Sequence, residues 1–345
     1  MNLKICCNIK LVNGENTMKN VKICLLLTYE GVGGKIFDKD VIEELKKIGD
    51  VFIWDGKTPV PAFCRDADII VTSWGSPKLD VSILKVAPSL MFIFHAAGTI
   101  KTVVDPELMK KGVRVSSASN IIGRNVAITT FGLVLIGVKK IPWWNEYIKS
   151  TGNWKEDKFL LTHTNEIGTS TVGVISMSSV GKNLVSLLKN VKENIIIYYP
   201  FWTSGEIEKF GGIKVEVLYE IAERCDVIAL CTPLLKTTEG MIDRKFFQNM
   251  KNGAVFVNTA RGKIIDEAAL IEELKKERIF ACLDVTDPQE PPPLDSPLRK
   301  LKNVLLSPHI TGIVNSGMKD IGVFCVEEIK RFIKKEVLVN EILLE

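Results

Sequence analysis

The sequence has no long apolar run and little excess charge. Its longest apolar run, residues 126–138 of 345, covers thirteen positions and ends at two lysines, whereas a helix that crosses a bilayer needs about 20. Lys and Arg number 45 against 41 Asp and Glu, a net charge of +4 that is spread along the chain. Nucleic-acid-binding surfaces usually concentrate basic residues on one face. The sequence therefore predicts a buried helix at 126–138, with no membrane and no nucleic-acid partner.

The sequence also lacks paired cysteines and a leader. None of its eight cysteines forms a Cys-x-x-Cys pair, and the first seventeen residues have no apolar stretch of the kind found in a signal peptide. This pattern is typical of reduced, buried thiols in a cytoplasmic protein, and it predicts neither a disulfide framework nor a metal site. The cysteines are Cys6, Cys7, Cys24, Cys64, Cys225, Cys231, Cys282 and Cys325.

Short β-branched runs alternate with helical patterns along the rest of the chain. Continuous apolar strands separated by helices predict parallel sheets that are covered on both faces. A long helix over about 120–139 joins two such α/β units, and an amphipathic helix over 314–335 could return to the first. The predicted strands are 21–27, 51–54, 68–73, 90–94 and 113–116 in the first unit, and 171–176, 194–199, 227–230, 254–258, 282–285 and 304–307 in the second.

One connection between a strand and a helix has the context of a dinucleotide-binding loop. The strand at 171–176 runs into a Ser-x-Ser-x-x-Gly pattern that ends at Gly181, in place of the usual three glycines. Serine is small enough to let a pyrophosphate approach, and backbone N–H groups would meet the phosphates at the positive end of the helix. Another glycine stretch, residues 31–34, lacks the third glycine and indicates a flexible turn. The predicted cofactor residues of the loop are Ser176, Ser178, Ser179, Val180 and Gly181.

The next strand ends without the acid that commonly binds the ribose hydroxyls about 20 residues later. Counting eighteen from Gly181 reaches Tyr199, and residues 200–204 include no Arg or Lys to attract a 2′-phosphate. The negative charge that would repel a 2′-phosphate is therefore absent, and no positive charge in this segment attracts it. The sequence therefore predicts NAD or NADP as cofactor, with affinities for NADH and NADPH within about tenfold of each other.

Three later strand ends carry an arginine, a carboxylate and a histidine. Arg261, Glu290 and His309 each follow an apolar run, and ligands of parallel α/β sheets bind outside the carboxyl ends of the strands. An arginine can grip a carboxylate through two parallel hydrogen bonds. A histidine can protonate a carbonyl oxygen near neutral pH, and a neighbouring carboxylate fixes its tautomer. Together the three residues predict a catalytic site for carbonyl reduction.

The segments around these residues resemble those of a known enzyme family. NTARG, LDVTDPQEPPPLDSPL and NVLLSPHITG are similar to the signatures of the D-isomer-specific 2-hydroxyacid dehydrogenases, which include glyoxylate/hydroxypyruvate reductases. The resemblance implies two flavodoxin/Rossmann-like domains with parallel sheets, joined by the long helix, with the active site in the cleft between them. The implied substrate domain comprises residues 18–117 and 313–345, the NAD(P)-binding domain comprises residues 118–312, and residues 1–17 form an N-terminal extension.

The resemblance also implies a reaction, reduction of a small 2-oxo acid to a D-2-hydroxy acid by NAD(P)H. A homodimer is expected separately, because the segment 142–153 after the long helix, which contains Trp143 and Trp144, could form a dimer arm. Arg261 would bind the substrate carboxylate and carbonyl, with His309 as acid/base and Glu290 as its partner. The backbone of Ala97 and Gly98 would hold the carboxylate from the opposite side. The residues implied to line the cofactor are Tyr199, Cys231, Thr232, Pro233, Thr259, Ala260, His309 and Asp284, the last of which would contact the nicotinamide carboxamide.

Departures from the family pattern leave other functions open. The family's catalytic glutamate stands five residues after Asp284, where this sequence has Gln289, the residue type that formate dehydrogenases of the same superfamily carry there. Glu290 is preferred because it lies 19 residues before His309, the separation expected for the catalytic pair. The alternatives are a formate dehydrogenase, a dinucleotide-sensing scaffold favoured by the altered loop, and a pseudoenzyme that has lost its cofactor.

Overall fold

Apolar and β-branched residues fill most of the strands, which are buried on both faces. The protein is described by a computed structural model over residues 21–191 and 194–344. Contacts divide these residues into one unit made of 21–121 with 314–344 and a second made of 122–313. The boundaries predicted from the sequence stand at 117/118 and 312/313, and the predicted extension, residues 1–17, lies outside the described residues.

The strands are β1 (Val21–Leu25), β2 (Gly49–Ile53), β3 (Ile69–Thr72), β4 (Phe92–His95), β5 (Arg114–Ser117), β6 (Val172–Ile175), β7 (Ile195–Tyr198), β8 (Ile213–Val215), β9 (Val227–Leu230), β10 (Val255–Asn258), β11 (Phe280–Leu283), β12 (Val304–Leu306) and β13 (Glu341–Ile342). The helices are α1 (Gly34–Ile36), α2 (Lys39–Lys46), α3 (Val60–Phe63), α4 (Pro106–Lys110), α5 (Ser119–Val138), α6 (Ile141–Thr151), α7 (Lys158–Thr162), α8 (Ser179–Leu188), α9 (Ser204–Phe210), α10 (Leu218–Arg224), α11 (Arg244–Asn249), α12 (Glu267–Lys275) and α13 (Met318–Ile333).

The unit that contains both chain ends has a six-stranded sheet with the order β13-β5-β4-β3-β1-β2. All neighbours are parallel except β13, which pairs antiparallel with β5. Successive side chains of a strand point to opposite faces. Ile93 therefore joins the core on one face, whereas Phe92 and Phe94 pack on Phe332 and Phe324 of α13, with ring centroids 4.6 and 6.0 Å apart.

A buried glutamate holds the segment that forms β13. Glu328 of α13 is 0% exposed, and its carboxylate accepts the hydroxyl of Ser116 at 2.6 Å and the N–H of Val339 at 3.0 Å. The side chain of Asn340 donates to the carbonyl of Ser117 at 2.8 Å. The sequence analysis did not predict β13, because a two-residue strand depends on these distant partners and has no local pattern.

The second unit has a seven-stranded, fully parallel sheet with the order β12-β11-β10-β9-β6-β7-β8. Its two faces carry separate cores, which Ile228 and Leu230 join on one side and Val227 and Ala229 on the other. The short edge strand β8 was not predicted, because only Val215 of its three residues is buried. The prediction of two α/β units with parallel sheets is confirmed.

The long helix α5 packs closely on this sheet. A Cβ on Gly137 would lie 3.1 Å from a methyl carbon of Val255 in β10. With 20 residues, α5 is the one helix within the described part of the chain that could cross a membrane by length and composition, a test that core helices also pass. The helix is buried along one side only, as a stripe at helical spacing, and Ile128 is 48% exposed, so the predicted buried helix is found in part. The buried residues are Gly123, Ala127, Thr130, Val134, Gly137 and Val138.

Candidate active site

The loop between β6 and α8 accommodates serine at two positions that are usually glycine. Ser176 has a φ of +85°, in the left-handed region that favours glycine. Ser178 is the N-cap of α8, and its hydroxyl donates to the carbonyl of Cys231 at 2.6 Å and accepts the N–H of Gly181 at 3.4 Å. A Cβ on Gly181 would lie 2.0 Å from the carbonyl oxygen of Ser176. The third position therefore requires glycine.

The first turn of α8 presents backbone donors. The N–H groups of a helix's first turn have no partner within the helix, and Ser179 is exposed while Val180 is half-buried. Gly123 of α5 lies so near that a Cβ there would be 2.7 Å from the hydroxyl oxygen of Ser179. This end of α8 can therefore hold phosphate oxygens, which the helix dipole also favours.

Aromatic side chains occupy the end of β7. Tyr199 packs edge-on against Phe201 and Trp202, with ring centroids 5.3 and 5.8 Å apart. Lys182 of α8 lies over the ring of Trp202, with its Nζ 5.0 Å from the centroid. Lys182 was not predicted, because it belongs to α8 and reaches the end of β7 only through the packing of the two elements.

Five residues that were predicted to line the cofactor lie at the ends of β9 and β10. The hydroxyl of Thr232 donates to the carbonyl of Ile175 at 3.3 Å, and the hydroxyls of Thr259 and Thr130 lie 2.7 Å apart. Burial raises the pKa of the Cys231 thiol to about 12, so the thiol is neutral at pH 7. The remaining predicted lining residues are Pro233, which is exposed, and Ala260, which is half-buried.

Arg261 lies in the turn after β10 with an exposed guanidinium. Asn258 holds the turn, because its side chain accepts the N–H of Ala260 at 3.0 Å and donates to the carbonyl of Arg261 at 3.2 Å. A Cβ on Gly262 would lie 2.2 Å from the carbonyl oxygen of Thr286, so the turn lies directly against the loop after β11. Among the described residues the guanidinium donates to the carbonyl of Ala260 at 2.5 Å and to no carboxylate.

His309 and Glu290 form a hydrogen-bonded pair. Their Nδ1 and Oε2 atoms are 2.6 Å apart, and the side chains are 45% and 36% exposed. Because a carboxylate only accepts, Nδ1 carries the proton in the neutral ring and Nε2 is left for a ligand. The side chain of Gln289 instead donates to the carbonyl of Pro291 at 3.4 Å. The structure thus brings Glu290 to the histidine and leaves Gln289 apart from it.

A buried aspartate fixes the loop that carries His309. Asp284 is 2% exposed, and its carboxylate accepts the hydroxyls of Ser307 and Thr311 at 2.6 Å each and the N–H groups of Ile310 and Thr311 at 3.0 Å each. Its carbonyl accepts the N–H of His309 at 3.0 Å. Burial alone would raise the pKa of Asp284, but these hydrogen bonds outweigh burial and lower it. The expected contact with a nicotinamide carboxamide stays a prediction.

A cavity of about 510 Å³ opens beside His309 and Glu290. Arg299 also lines it, and its guanidinium donates to the carbonyls of Pro292 at 2.7 Å and Pro293 at 3.0 Å, which holds the proline-rich segment in place. Across residues 21–191 and 194–344, no three His, Cys, Asp or Glu side chains group as a metal site. The cavity is large enough for a small organic acid.

Ala97 and Gly98 lie after β4 in the other unit. The N–H of Ala97 donates to the carbonyl of His95 at 2.7 Å, and its carbonyl accepts the N–H of Ala118 at 3.2 Å. Desolvation lowers the pKa of the buried His95 to about 4, and its Nδ1 lies 2.9 Å from the hydroxyl of Thr72. The predicted contact of Ala97 and Gly98 with the substrate stays a prediction.

Comparison with protein families gives one match that covers half of the chain. Residues 131–311 match the family model described as D-isomer specific 2-hydroxyacid dehydrogenase, NAD binding domain. This range contains the serine loop, the aromatic end of β7 and the turn or loop residues Arg261, Glu290 and His309.

Comparison with individual proteins gives the same family. A D-3-phosphoglycerate dehydrogenase from Methanocaldococcus jannaschii is 32% identical over 305 residues, which are 88% of this chain and 57% of that protein. The chain thus spans little more than half the length of this relative. A glyoxylate reductase from Korarchaeum cryptofilum is 28% identical over 80% of this chain and 84% of its own length. The structure of D-lactate dehydrogenase with NAD⁺ from Lactobacillus jensenii superposes with a TM-score of 0.76 at 22% identity, covering 94% of this chain and 100% of that one.

Proposed function

Because the chain belongs to the D-isomer-specific 2-hydroxyacid dehydrogenase family, we propose that it reduces a small 2-oxo acid to a D-2-hydroxy acid with NAD(P)H. The observation that carries the proposal is the 2.6 Å pair of His309 Nδ1 and Glu290 Oε2 beside a cavity of about 510 Å³. A tautomer fixed in this way keeps the other ring nitrogen available for proton transfer to a bound carbonyl.

The loop before α8 fits a dinucleotide. A Cβ on Gly181 would lie 2.0 Å from the carbonyl oxygen of Ser176, so α8 can begin this close to the end of β6 only because glycine has no side chain. The backbone N–H groups of Ser179 and Val180 would hold the phosphates, and the walls at Thr232 and Thr259 would flank the rest of the cofactor. When bound, NAD(P)H would supply the hydride that the reaction requires.

The chain's own residues would bind the substrate and move the proton. The exposed guanidinium of Arg261 would hold the substrate carboxylate through two parallel hydrogen bonds and so align its carbonyl. His309 in its protonated form would donate from Nε2 to the carbonyl oxygen, and Glu290 would stabilise the charged ring. Asp284, through its bonds to Ser307 and Thr311, would keep the histidine loop in position without touching the substrate.

The contacts of Gln289 and Glu290 favour this reaction over the rivals. A formate dehydrogenase would place an amide beside the histidine, but the amide of Gln289 is bound to the carbonyl of Pro291. A scaffold or pseudoenzyme would not need a histidine oriented by a carboxylate, yet Glu290 and His309 are hydrogen bonded. These observations support reduction of a 2-oxo acid as the function.

The experiment that tests the proposal measures binding and turnover separately. Fluorescence titration with NADH and NADPH reports binding, and loss of the reduced-dinucleotide absorbance reports turnover with glyoxylate, hydroxypyruvate, 3-phosphohydroxypyruvate and pyruvate. We expect binding and turnover with at least one of these acids. Turnover of formate with the oxidised dinucleotide would establish the formate dehydrogenase instead. Binding without any turnover would support the scaffold, and no binding would support the pseudoenzyme.

The proposal includes a cytoplasmic homodimer that binds neither nucleic acid nor membrane. The six cysteines of the described residues are free thiols and are buried, which suits a reducing compartment. The small, dispersed net charge of +4 supports the absence of a nucleic-acid partner. The homodimer is inferred from the segment 142–153, which could form a dimer arm, and light scattering of the purified protein tests it by giving the mass directly.

A further inference from the structure

We propose that Lys182 binds the 2′-phosphate of NADPH and makes NADPH the preferred cofactor, an inference that rests on the proposed function. The sequence analysis predicts weak discrimination because the segment after Tyr199 contains no Lys or Arg. The structure brings a lysine to that place from a different element, since Lys182 of α8 lies over Trp202 with its Nζ 5.0 Å from the ring centroid.

The position of Lys182 corresponds to the ribose end of a bound dinucleotide. It directly follows Gly181, at the start of the helix whose first turn would hold the pyrophosphate, and its side chain extends to the residues after β7. In dinucleotide-binding folds, the end of this second strand carries the group that selects between a ribose hydroxyl and a 2′-phosphate. Lys182 therefore places a positive charge where that selection is made.

No carboxylate competes for this charge. Tyr199 stands at the position of the usual acid, and among the described residues no Asp or Glu forms an ion pair with Lys182. Glu206 is the first acid after the strand, but its Oε2 accepts the N–H of Thr203 at 2.7 Å and its hydroxyl at 2.9 Å. The bond from the Thr203 N–H belongs to the capping box of α9, so Oε2 of Glu206 is engaged at the start of that helix and not with Lys182.

The contact with Trp202 restricts the side chain of Lys182 before a ligand binds. Trp202 is held between Tyr199 and Phe210, with ring centroids 5.8 and 5.7 Å away, which gives the ammonium a fixed surface to rest on. A lysine in solution samples many rotamers and loses that freedom on binding an anion. A cation–π contact restricts the side chain beforehand, while Trp202 offers no acceptor that would neutralise its charge.

Adenosine fragments test the proposal without involving the nicotinamide or the substrate. Isothermal titration calorimetry compares adenosine 2′,5′-bisphosphate with 5′-AMP, and NADPH with NADH, on the full chain. We expect the 2′-phosphate to tighten binding by at least about tenfold in both comparisons. Lys182→Ala removes that advantage and leaves the affinities for 5′-AMP and NADH within about twofold, whereas Lys182→Arg retains most of it because the charge is kept.

Lys189→Ala is the matched control. Lys189 is the C-cap of the same helix, seven residues and about 10 Å along the axis from Lys182, so its loss leaves the preference for the 2′-phosphate unchanged. Equal binding of the two fragments by the parent chain overturns the inference about Lys182, and so does an equal loss of both in Lys182→Ala. In either case, turnover of a 2-oxo acid leaves the proposed function standing. If no fragment or dinucleotide binds, the inference and the proposed function both fail.

Discussion

The candidate site lies along the carboxyl ends of the seven-stranded sheet. The residues after β10, β11 and β12 follow the family pattern more closely than the residues after β6 and β7. After β10, β11 and β12, the turn or loop residues Arg261, Glu290 and His309 keep the family's residue types. After β6 and β7, the chain has Ser176 with a φ of +85° and Tyr199 in place of glycine and an acid. In the proposed function, proton transfer and carboxylate binding would depend closely on the atoms of the first set, whereas cofactor binding would rest largely on backbone N–H groups that several residue types can present.

This comparison predicts large losses of turnover at the β10–β12 end and small or selective effects at the β6–β7 end. The largest effect is expected for His309→Asn. Asparagine is chosen as the replacement because it tolerates the left-handed backbone of His309, which has a φ of +53°. Removal of a general acid costs typically ~10²–10⁴-fold in rate, so kcat for 2-oxo acid reduction should fall by that factor. Dinucleotide affinity, measured by titration, should change only a few-fold.

The control for His309 is His163→Asn at the end of α7, where the ring bonds the carbonyl of Phe159 at 2.8 Å and packs against the Phe159 ring, 4.3 Å away, and against Gly253. We expect parental kcat in this variant. A loss below about tenfold in His309→Asn would mean that another group supplies the proton.

Arg261→Lys comes next in expected effect. The lysine keeps the charge but cannot reproduce a planar, two-point grip on a carboxylate. We expect a loss in kcat/KM of about 2–4 kcal/mol, measured by steady-state kinetics with the best 2-oxo acid. Arg244→Lys, in an exposed ion pair with Glu272 on α12, is the control that should keep parental kinetics. Equal kinetics in the two variants would remove Arg261 from the substrate site.

Asp284→Asn should have an intermediate effect, because an amide cannot accept the four hydrogen bonds that hold the His309 loop. Small displacements of a catalytic group cost up to ~10²-fold, and we expect kcat to fall by about 10- to 100-fold with little change in KM. A change in KM alone would contradict the positioning role.

The same variant has a predicted pH signature. Since the fold lowers the pKa of Asp284, its carboxylate stabilises the folded state above the unfolded pKa of about 3.9 and loses this contribution as the pH falls through the lower folded pKa. Urea unfolding should therefore show the largest stability difference between parent and Asp284→Asn at neutral pH. A difference that grows as the solution is acidified would contradict the assignment.

The smallest effect is expected for Ser176→Gly. A non-glycine residue with positive φ carries local strain of order 1–3 kcal/mol, part of which is offset by the greater unfolded-state freedom of glycine. We expect a gain in the free energy of unfolding of about 0.5–1 kcal/mol and dinucleotide affinity within about twofold. Ser186→Gly in the last turn of α8 should destabilise instead, because glycine is a poor helix former. Destabilisation by both substitutions would show that Ser176 is not strained.

Local sequence patterns predicted most of the fold and the pairing of Glu290 with His309 in the candidate site. The buried strands and α5 were predicted because their apolar spacing is itself local, and the predicted family and parallel sheets are confirmed. β13 was missed because it depends on Glu328, Ser116 and Val339, which are far apart along the chain. Lys182 was missed for the same reason, since its contact with Trp202 exists only once α8 and the end of β7 are packed.

The choice between Gln289 and Glu290 shows what spacing alone can and cannot do. Counting back from His309 favoured Glu290, but counting forward from Asp284 favoured Gln289. The two counts differ by one residue in the loop between Asp284 and Glu290. In this loop the hydroxyl of Thr286 donates to the carbonyl of Gln289 at 2.7 Å. This turn contact is not visible in the sequence, and it accompanies the arrangement in which Glu290 meets the histidine.

The central claim is that His309 and Glu290 make this chain a 2-oxo acid reductase. The most direct measurement is the absorbance of NADPH and NADH during incubation of the purified protein with hydroxypyruvate or glyoxylate, with chiral analysis of any product that has a stereocentre. The account predicts oxidation of the dinucleotide in equal amount to a hydroxy-acid product, of D configuration from hydroxypyruvate, in the parent chain and almost none in His309→Asn. Saturated dinucleotide binding with no oxidation by any 2-oxo acid would contradict it.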